Sequence, residues 1–157
     1  MAELPRTGSS ITVLLSRTRP ELTALVSAIR QRYPEVVTVN TSLLEKQIAC
    51  LLVAVQKNRS GHIQSLHQAL CALPELQGVK MILYVEHTVD AQDMGTALWR
   101  FCNNMDPRRD NYLYKASLAD GRYVACMGLD GTRKTKELDN FQRDWPNIIV
   151  ADDATIA

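Results

Sequence analysis

The feature that most constrains the fold is a short, continuous apolar run at residues 81–85, MILYV, which polar residues follow at once. Such a run is typical of an inner strand of a sheet that is covered on both faces. Glu86, His87 and Asp90 come next, at the end of the strand where open α/β sheets usually place their ligands. Residues 79–110 therefore predict a buried strand, an acidic turn and a helix, around which the rest of the chain is organised.

An amphipathic helix is predicted after this strand. Its apolar residues recur at helical spacing and form one stripe, namely Met94, Ala97, Leu98, Phe101 and Met105. Asp93 lies near the start, where a carboxylate is favoured by the helix dipole. Pro107 prevents the helix from continuing, and it disfavours helical geometry at Asp106.

The rest of the chain alternates between strand and helix patterns. Further strands are expected at residues 11–15, 36–39, 47–55, 112–114, 123–127 and 148–150. One helix begins at a capping box, Thr18-x-x-Glu21, and ends at Pro34, while another opens at Ser60-Gly61. This alternation predicts an α/β fold with a mixed, mostly parallel sheet flanked by helices. A single domain is expected at residues 11–150, after a flexible leader at 1–10 and before a tail at 151–157.

Charge and composition argue against several classes of protein. The 157-residue chain carries 18 Lys and Arg against 17 Asp and Glu, which leaves a net charge of +1. No strong field is available to hold nucleic acid, and the apolar runs are far shorter than a membrane span. Four widely spaced cysteines, Cys50, Cys71, Cys102 and Cys126, are typical of reduced and mostly buried thiols. We therefore expect a cytoplasmic protein that binds no nucleic acid and spans no membrane.

Motifs of catalytic or metal centres are not evident in the sequence. His62 and His67 are five residues apart, so they do not form an i, i+4 metal pair, and we expect them to be exposed on a helix. Gly128 and Gly131 fit a turn better than a phosphate-binding loop. The basic run at residues 132–136 is expected to be a solvated loop, with an anion contact as the alternative.

The one dense group of titratable side chains is Glu86, His87, Asp90 and Asp93. One interpretation is a solvated loop that caps the following helix. The other is a polar rim that docks another domain or a ligand.

Several short motifs also occur in a characteristic order. They are Val89, Asp93, Trp99, Met105-Asp106-Pro107, Arg109-Asp110 and Met127-Gly128-Leu129-Asp130-Gly131-Thr132-x-Lys134. Their order and spacing resemble the C-terminal domain of the UbiD family, which comprises decarboxylases dependent on prenylated FMN. The resemblance covers most of the chain, including the Gly61-His62 pair that opens a helix.

The resemblance implies that the chemistry of the family belongs to another part of the enzyme. In UbiD enzymes a middle, split β-barrel binds the flavin, a Glu–Arg–Glu network transfers protons, and a divalent metal with potassium holds the flavin phosphate. This chain has no counterpart of that barrel, and in particular no E-G-P-F-G-like segment. No catalytic or metal-binding residue can therefore be assigned by resemblance, and the chain alone is expected to bind no cofactor.

The family's C-terminal domain has other roles, namely subunit association and closure over the active site. The expected partner is a flavin-binding UbiD domain or subunit, and a homo-oligomer is expected. Lys80 matches a basic residue at the strand start, so it is a candidate for flavin binding, with an exposed edge lysine as the alternative. Arg109 and Asp110 are expected to form a structural ion pair and turn, and Trp99 to be a core residue or an interface anchor.

The chain departs from the family pattern in four places. Glu86-His87-Thr88 replaces an acidic triplet, and residues 100–104 differ from the usual Ala-x-x-Thr-Arg run. The connection between Asp110 and Met127 is shorter than expected, and the usual terminal helix is missing. These departures leave the mode of oligomerisation open.

Three functions are compatible with the sequence. The first is the C-terminal domain or subunit of a UbiD-like carboxy-lyase, inactive without its flavin-binding part. The second is a stand-alone binding or regulatory module derived from that domain. The third is an independent small enzyme that uses the group from Glu86 to Asp93, for which His87→Ala would abolish turnover.

Overall fold

Five strands and five α-helices account for most of residues 17–141, which are the residues that this computed structural model describes. The strands are β1 (Val36–Asn40), β2 (Cys50–Val55), β3 (Met81–Glu86), β4 (Asn111–Ser117) and β5 (Tyr123–Asp130). The helices are α1 (Arg19–Arg32), α2 (Ser42–Glu45), α3 (His62–Cys71), α4 (Met94–Asn104) and α5 (Lys136–Asp139), with a 3-10 turn at Pro74–Leu76. In this part of the chain, no helix is long and apolar enough to cross a membrane.

The strands form one sheet in the order β1-β2-β3-β5-β4. The three inner strands are parallel to one another, and each edge strand is antiparallel to its neighbour. This arrangement confirms the predicted α/β fold with a mixed sheet. The expected strands at residues 11–15 and 148–150, the leader and the tail lie outside the described residues.

The second strand is shorter than the sequence predicts, because it begins at Cys50 rather than at Gln47. Gln47 has a φ of 63°, in the left-handed region that no regular strand uses. The backbone N–H of Ile48 donates to the carbonyl of Leu43, so residues 47–49 close the turn after α2.

Hydrophobic cores lie on both faces of the sheet. On one face, alternate residues such as Leu51, Ile82 and Tyr84 contact the buried sides of α1 and α3. On the other face, Leu52, Leu83 and Val85 form a second core with Ala97 and Phe101 of α4. Because both faces of β2 and β3 are covered, these two strands are nearly continuous apolar runs, as the sequence predicts.

The predicted capping signals form as expected. The Thr18 hydroxyl accepts a hydrogen bond from the N–H of Glu21 at the start of α1, and Tyr33 caps the end. Asp93 caps α4, where Oδ1 accepts from the N–H of Thr96.

Two predictions about helix faces are wrong. Leu98 was expected on the buried stripe of α4, but only Ala97 and Phe101 are buried there, and Leu98 is 38% exposed. Adjacent residues of a helix are about 100° apart, and α4 buries only a narrow stripe, so Leu98 lies at its margin.

His62 and His67 were expected to be exposed, but both are buried. Their helix, α3, buries a broad side that holds both histidines together with Ile63, Leu66, Leu70 and Cys71. The imidazoles tolerate burial because the ring nitrogens have hydrogen-bond partners, such as Glu35 for His62 and Tyr84 for His67.

Candidate functional site

Two of the sequence motifs meet where β4 begins and β5 ends. The N–H of Asp130 donates to the carbonyl of Asp110 over 2.8 Å. Lys134 reaches back into this point, where its Nζ donates to the carbonyl oxygens of Thr132 (2.6 Å) and Asp130 (3.1 Å). We call Arg109, Asp110, Asp130, Thr132 and Lys134 the motif junction.

The junction is a buried ionic cluster. Lys134 Nζ lies 3.4 Å from Asp130 Oδ1 and 3.6 Å from Asp110 Oδ2, and its side chain is only 3% exposed. The expectation that residues 132–136 form a solvated loop is therefore wrong for Thr132 and Lys134, which are both buried. Burial lowers the pKa of Lys134, although the two carboxylates oppose that shift.

Arg109 and Asp110 form the ion pair and turn that the sequence predicts. Arg109 donates from Nε and from a terminal nitrogen to the two carboxylate oxygens of Asp110, each over 2.8 Å. The N–H of Asp106 also donates to Asp110 Oδ2, which closes the turn around Pro107. Burial alone would raise the pKa of Asp110, but these hydrogen bonds and the charge of Lys134 hold it below its usual value.

The carboxylates of the junction are occupied by these partners. Asp130 Oδ1 accepts hydrogen bonds from the N–H and the hydroxyl of Thr132. A second cation, which is half-buried, lies nearby, since Lys57 Nζ donates to Asp139 over 2.9 Å and to the carbonyl of Arg133. The arrangement fixes β4, β5 and the following loop to one another, and it is suited to a structural role.

The acidic segment after β3 acts as a cap. Asp90 Oδ1 accepts from the N–H of Gln92, and Asp93 accepts from both the N–H and the hydroxyl of Thr96. The hydrogen bonds from Thr96 lower the pKa of Asp93. Glu86 is half-buried and His87 is exposed. These contacts support the interpretation of a solvated loop that caps a helix.

Lys80 lies at the opposite end of the sheet from that segment. Its backbone bridges two neighbouring segments, because its N–H donates to Ala49 and its carbonyl accepts from Met127. The side chain is exposed. The structure therefore does not bring Lys80 together with the residues from Glu86 to Asp93, and a flavin contact of Lys80 stays a prediction.

A buried polar cluster of His67, Cys71, Tyr84 and Cys126 was not predicted. His67 Nε2 lies 3.0 Å from the Cys126 carbonyl, which can only accept, so Nε2 carries the proton. Nδ1 then accepts from the Tyr84 hydroxyl over 2.7 Å, and burial lowers the pKa of the imidazole. The i, i+4 spacing of His67 and Cys71 on α3 was the available signal.

This cluster also brings together one nitrogen and two sulfur atoms that metals favour. The ligand atoms of His67, Cys71 and Cys126 lie within 4.8 Å of one another. However, Cys71 Sγ is almost equally far from the two ring nitrogens, at 3.6 and 3.5 Å, which places it over the ring rather than along a lone pair. Both ring nitrogens already have hydrogen-bond partners in the plane of the ring. The arrangement is therefore that of a buried histidine whose hydrogen bonds are complete, and not that of a metal site.

Apolar side chains are exposed on the face of the sheet that carries α4. Met81, Met127 and Leu113 are paired across three strands and so share one face, and Leu113 is 48% exposed. Tyr123 lies on the same face, four residues before Met127, and Trp99 projects from α4 with 62% of its surface exposed. We call Met81, Trp99, Leu113 and Tyr123 the α4-side surface. Trp99 is thus not a core residue.

A cleft of about 330 Å³ lies on the other side of the molecule. Its floor is formed by Leu25, Ile29 and Leu73, and Arg17 and Arg32 lie among its lining residues. The motif residues do not line it, so the sequence resemblance assigns it no role.

The C-terminal domain of 3-octaprenyl-4-hydroxybenzoate carboxy-lyase is the family description that matches this chain, over residues 18–134. An uncharacterised protein of Aeropyrum pernix is 27% identical over 137 residues, which cover 82% of this chain and 28% of that protein. A second uncharacterised protein, from Aquifex aeolicus, is 30% identical over a segment that covers 62% of this chain and 21% of that protein. The chain thus spans about a quarter of the relatives that it matches.

Solved structures of decarboxylases share the fold. The vanillic acid decarboxylase of Sedimentibacter hydroxybenzoicus matches 85% of this chain and 29% of its own, with a TM-score of 0.64 and 17% identity. The UbiD-class enzyme HmfF of Pelotomaculum thermopropionicum, solved with FMN, matches 78% of this chain and 29% of its own, with a TM-score of 0.56 and 20% identity. With the match over residues 18–134, these findings show that the chain belongs to the UbiD family and corresponds to its C-terminal domain.

Proposed function

We propose that this chain is the C-terminal domain or a subunit of a UbiD-type, prenylated-FMN-dependent carboxy-lyase, and that it serves association and active-site closure. The reaction of the complete enzyme would be the non-oxidative decarboxylation of an aromatic or α,β-unsaturated acid. A flavin-binding UbiD domain or subunit would carry that chemistry. The match to only about a quarter of its relatives supports this division of roles.

The observation that carries the proposal is the α4-side surface. Tyr123 is 72% exposed and shares one face of the sheet with the exposed Leu113 and Met81, while Trp99, which is 62% exposed, lies on α4, the helix that packs on that face. Large apolar side chains that share an exposed face are typical of protein–protein interfaces. A domain that docks onto a flavin-binding partner needs such a surface.

The ionic contacts of the motif junction support a structural role for the shared motifs. Asp110 and Asp130 are both buried and hydrogen-bonded, so neither carboxylate is available as a general base. The junction instead fixes the hairpin of β4 and β5, which contributes Leu113 and Tyr123 to the α4-side surface.

The cofactor of the family is not assigned a site on this chain. Solved HmfF structures hold prenylated FMN or FMN, and those ligands belong to HmfF. Lys80 offers one exposed cation, whereas a flavin phosphate requires several donors or a metal. The described residues around Lys80 do not fit a complete phosphate site.

The decisive experiment mixes the purified chain with a separately purified UbiD flavin-binding segment from the same genome, with FMN present. Sedimentation velocity should show a complex, and Trp99→Ala should weaken it. Gln68→Ala is the matched control, because Gln68 is exposed on α3, on the opposite face of the sheet. If no complex forms, or if the two variants bind alike, the proposal is wrong.

A stand-alone binding module is the second candidate, and the exposed His87 and Thr88 favour it because they replace acidic residues of the family pattern. It would associate without any effect of flavin or of the flavin-binding segment. An independent enzyme has less support, since Asp90 and Asp93 are used in a turn and a cap. Turnover by the lone chain that His87→Ala abolishes would establish the enzyme instead.

A further inference from the structure

The cleft of about 330 Å³ runs along α1. The residues of α1 that line it recur at helical spacing, and they are Glu21, Ala24, Leu25, Ala28, Ile29 and Arg32. Residues at this spacing share one side of a helix, so the cleft follows the helix axis. From Glu21 to Arg32 this path is about 17 Å long, at about 1.5 Å per residue. Leu73 and Glu75, from the segment between α3 and β3, complete the lining.

The cleft is long and narrow. A volume of about 330 Å³ spread over about 17 Å gives a mean cross-section of about 20 Å². A helix with its side chains is about 10–12 Å across, so a helix sunk to half its depth would need at least about twice that area. The cleft is therefore suited to a single extended chain and not to a helix.

The lining of the cleft offers mostly apolar contact. Leu25, Ile29 and Leu73 are each more than nine-tenths buried, and they form its floor. The backbone groups of α1 are hydrogen-bonded within the helix, so they cannot pair with the N–H and C=O groups of an extended peptide. An alkyl chain has no polar groups that need partners, and it gains free energy when it leaves water. An alkyl chain is therefore the better occupant.

An arginine lies at each end of the cleft, Arg17 before α1 and Arg32 in its last turn. Within residues 17–141, neither side chain forms an ion pair with a carboxylate. The guanidinium of Arg32 lies over the ring of Tyr33, with Cζ 5.7 Å from the centroid. Glu21 lies at the other end, about 17 Å from Arg32 along the helix. The Arg32 end is therefore suited to a carboxylate, which an arginine can bind with two parallel hydrogen bonds.

We propose that this cleft binds an unbranched, long-chain alkyl carboxylate, with the chain along α1 and the carboxylate at Arg32. This inference goes beyond the proposed function and does not depend on it. The cleft lies on the face of the sheet that carries α1 and α3, whereas the α4-side surface lies on the opposite face. The ligand and a flavin-binding partner would therefore use separate sites.

Isothermal titration calorimetry of the full chain with sodium octanoate and sodium decanoate tests the apolar part of the site. Decanoate should bind about ten-fold more tightly, because it buries two more methylene groups. Ala28→Phe should abolish binding, since its ring would fill the cleft. Ser27→Phe is the matched control, because Ser27 does not line the cleft. Both positions are exposed, so both variants should fold, which circular dichroism checks.

Two arginine variants test the position of the carboxylate. Arg30 and Arg32 both lie in the last turn of α1, but of the two only Arg32 lines the cleft. Arg32→Gln and Arg30→Gln therefore remove the same charge, and only the first removes the proposed partner. Decanoate should bind about ten-fold more weakly to Arg32→Gln than to Arg30→Gln. Decyltrimethylammonium, which has the same chain and the opposite charge, should bind more weakly than decanoate to the parent chain.

The other outcomes overturn the inference in distinguishable ways. Equal binding to the two arginine variants would mean that Arg32 does not hold the carboxylate. Equal binding to the two phenylalanine variants would mean that the acid occupies another place on the molecule. Tighter binding of decyltrimethylammonium would mean that Glu21 and Glu75 select a cation. No binding of decanoate by the full chain would exclude the ligand. The complex with the flavin-binding segment, measured without decanoate, decides the proposed function separately.

Discussion

The imidazole of His67 lies against the backbone of Gly128, so closely that a Cβ at residue 128 would stand 2.6 Å from Nδ1. The ring cannot retreat without losing its hydrogen bonds to Tyr84 and to the Cys126 carbonyl. The glycine of the Met127-Gly128 motif is therefore required by packing between α3 and β5. The sequence alone favoured a turn at this point.

Replacement of that glycine should destabilise the fold. Gly128→Ala is expected to lower the free energy of unfolding by about 1–3 kcal/mol, because the added methyl group overpacks a well-filled site. Urea denaturation followed by circular dichroism measures the change. Gly95→Ala is the matched control, because a Cβ at residue 95 would meet only Asp93 Oδ1, at 3.8 Å. This substitution also removes a glycine from a helix, which favours the helical conformation. Equal stability of the two variants would contradict this account.

Local signals in the sequence predicted most of the elements. The capping box at Thr18, the cap at Asp93 and the apolar run of β3 depend on neighbouring residues and on period, so they can be read without a structure. The late start of β2, at Cys50 rather than at Gln47, could not be predicted. The turn there depends on a left-handed backbone conformation at Gln47, and a glutamine does not indicate that conformation.

Buried polar residues were the main errors, and the cause is physical. Whether Lys134 is buried depends on Asp110, which is distant in the chain and is brought close only by the hairpin. His67 likewise depends on Tyr84 and Cys126 of two strands. Polar side chains enter a core only when partners satisfy them, and those partners are set by the tertiary fold.

Removal of the buried cation at the motif junction should be costly. Lys134→Met would leave Asp110 and Asp130 buried with one positive charge fewer, and the free energy of unfolding is expected to fall by about 3–5 kcal/mol. Lys46→Met, at an exposed position, should change it by less than about 0.5 kcal/mol. Thermal and urea denaturation of the pair give the comparison. A small effect at Lys134 would mean that Arg109 alone compensates both carboxylates.

The protonation of His67 should make the fold sensitive to mild acid. Burial lowers the pKa of this imidazole in the folded chain, so the unfolded chain, with a histidine pKa of about 6.5, binds the proton more readily. The contribution of the neutral His67 imidazole to the free energy of unfolding is present above about pH 6.5 and is lost as the pH falls below that value. Between pH 7.5 and 5.5 this loss can reach about 1.4 kcal/mol. His67→Gln cannot titrate, so its stability should change less across that range; an identical pH dependence would exclude His67 as the cause.

The four cysteines should differ sharply in reactivity. Cys102 is exposed on α4, whereas Cys50, Cys71 and Cys126 are buried as free thiols. Burial also raises the pKa of Cys50, which disfavours its reactive thiolate. A disulfide reagent should therefore modify one thiol quickly in the native chain and the others only on unfolding. Cys102→Ser should remove the fast phase, and two or more fast thiols in the parent chain would contradict the described burial.

Trp99 and Phe101 lie two residues apart on α4, and their replacement by alanine should have opposite effects on stability and on binding. Phe101 is buried, and its ring packs against the backbone of Gly131. A Cβ at residue 131 would stand 2.3 Å from that ring, so only glycine fits. Phe101→Ala should therefore lower the free energy of unfolding by about 3–5 kcal/mol, while Trp99→Ala should change it by less than about 0.5 kcal/mol. Binding to the flavin-binding segment should show the reverse order when Phe101→Ala is assayed under conditions where it is folded. A large loss of stability in Trp99→Ala would mean that this tryptophan supports the fold rather than an interface.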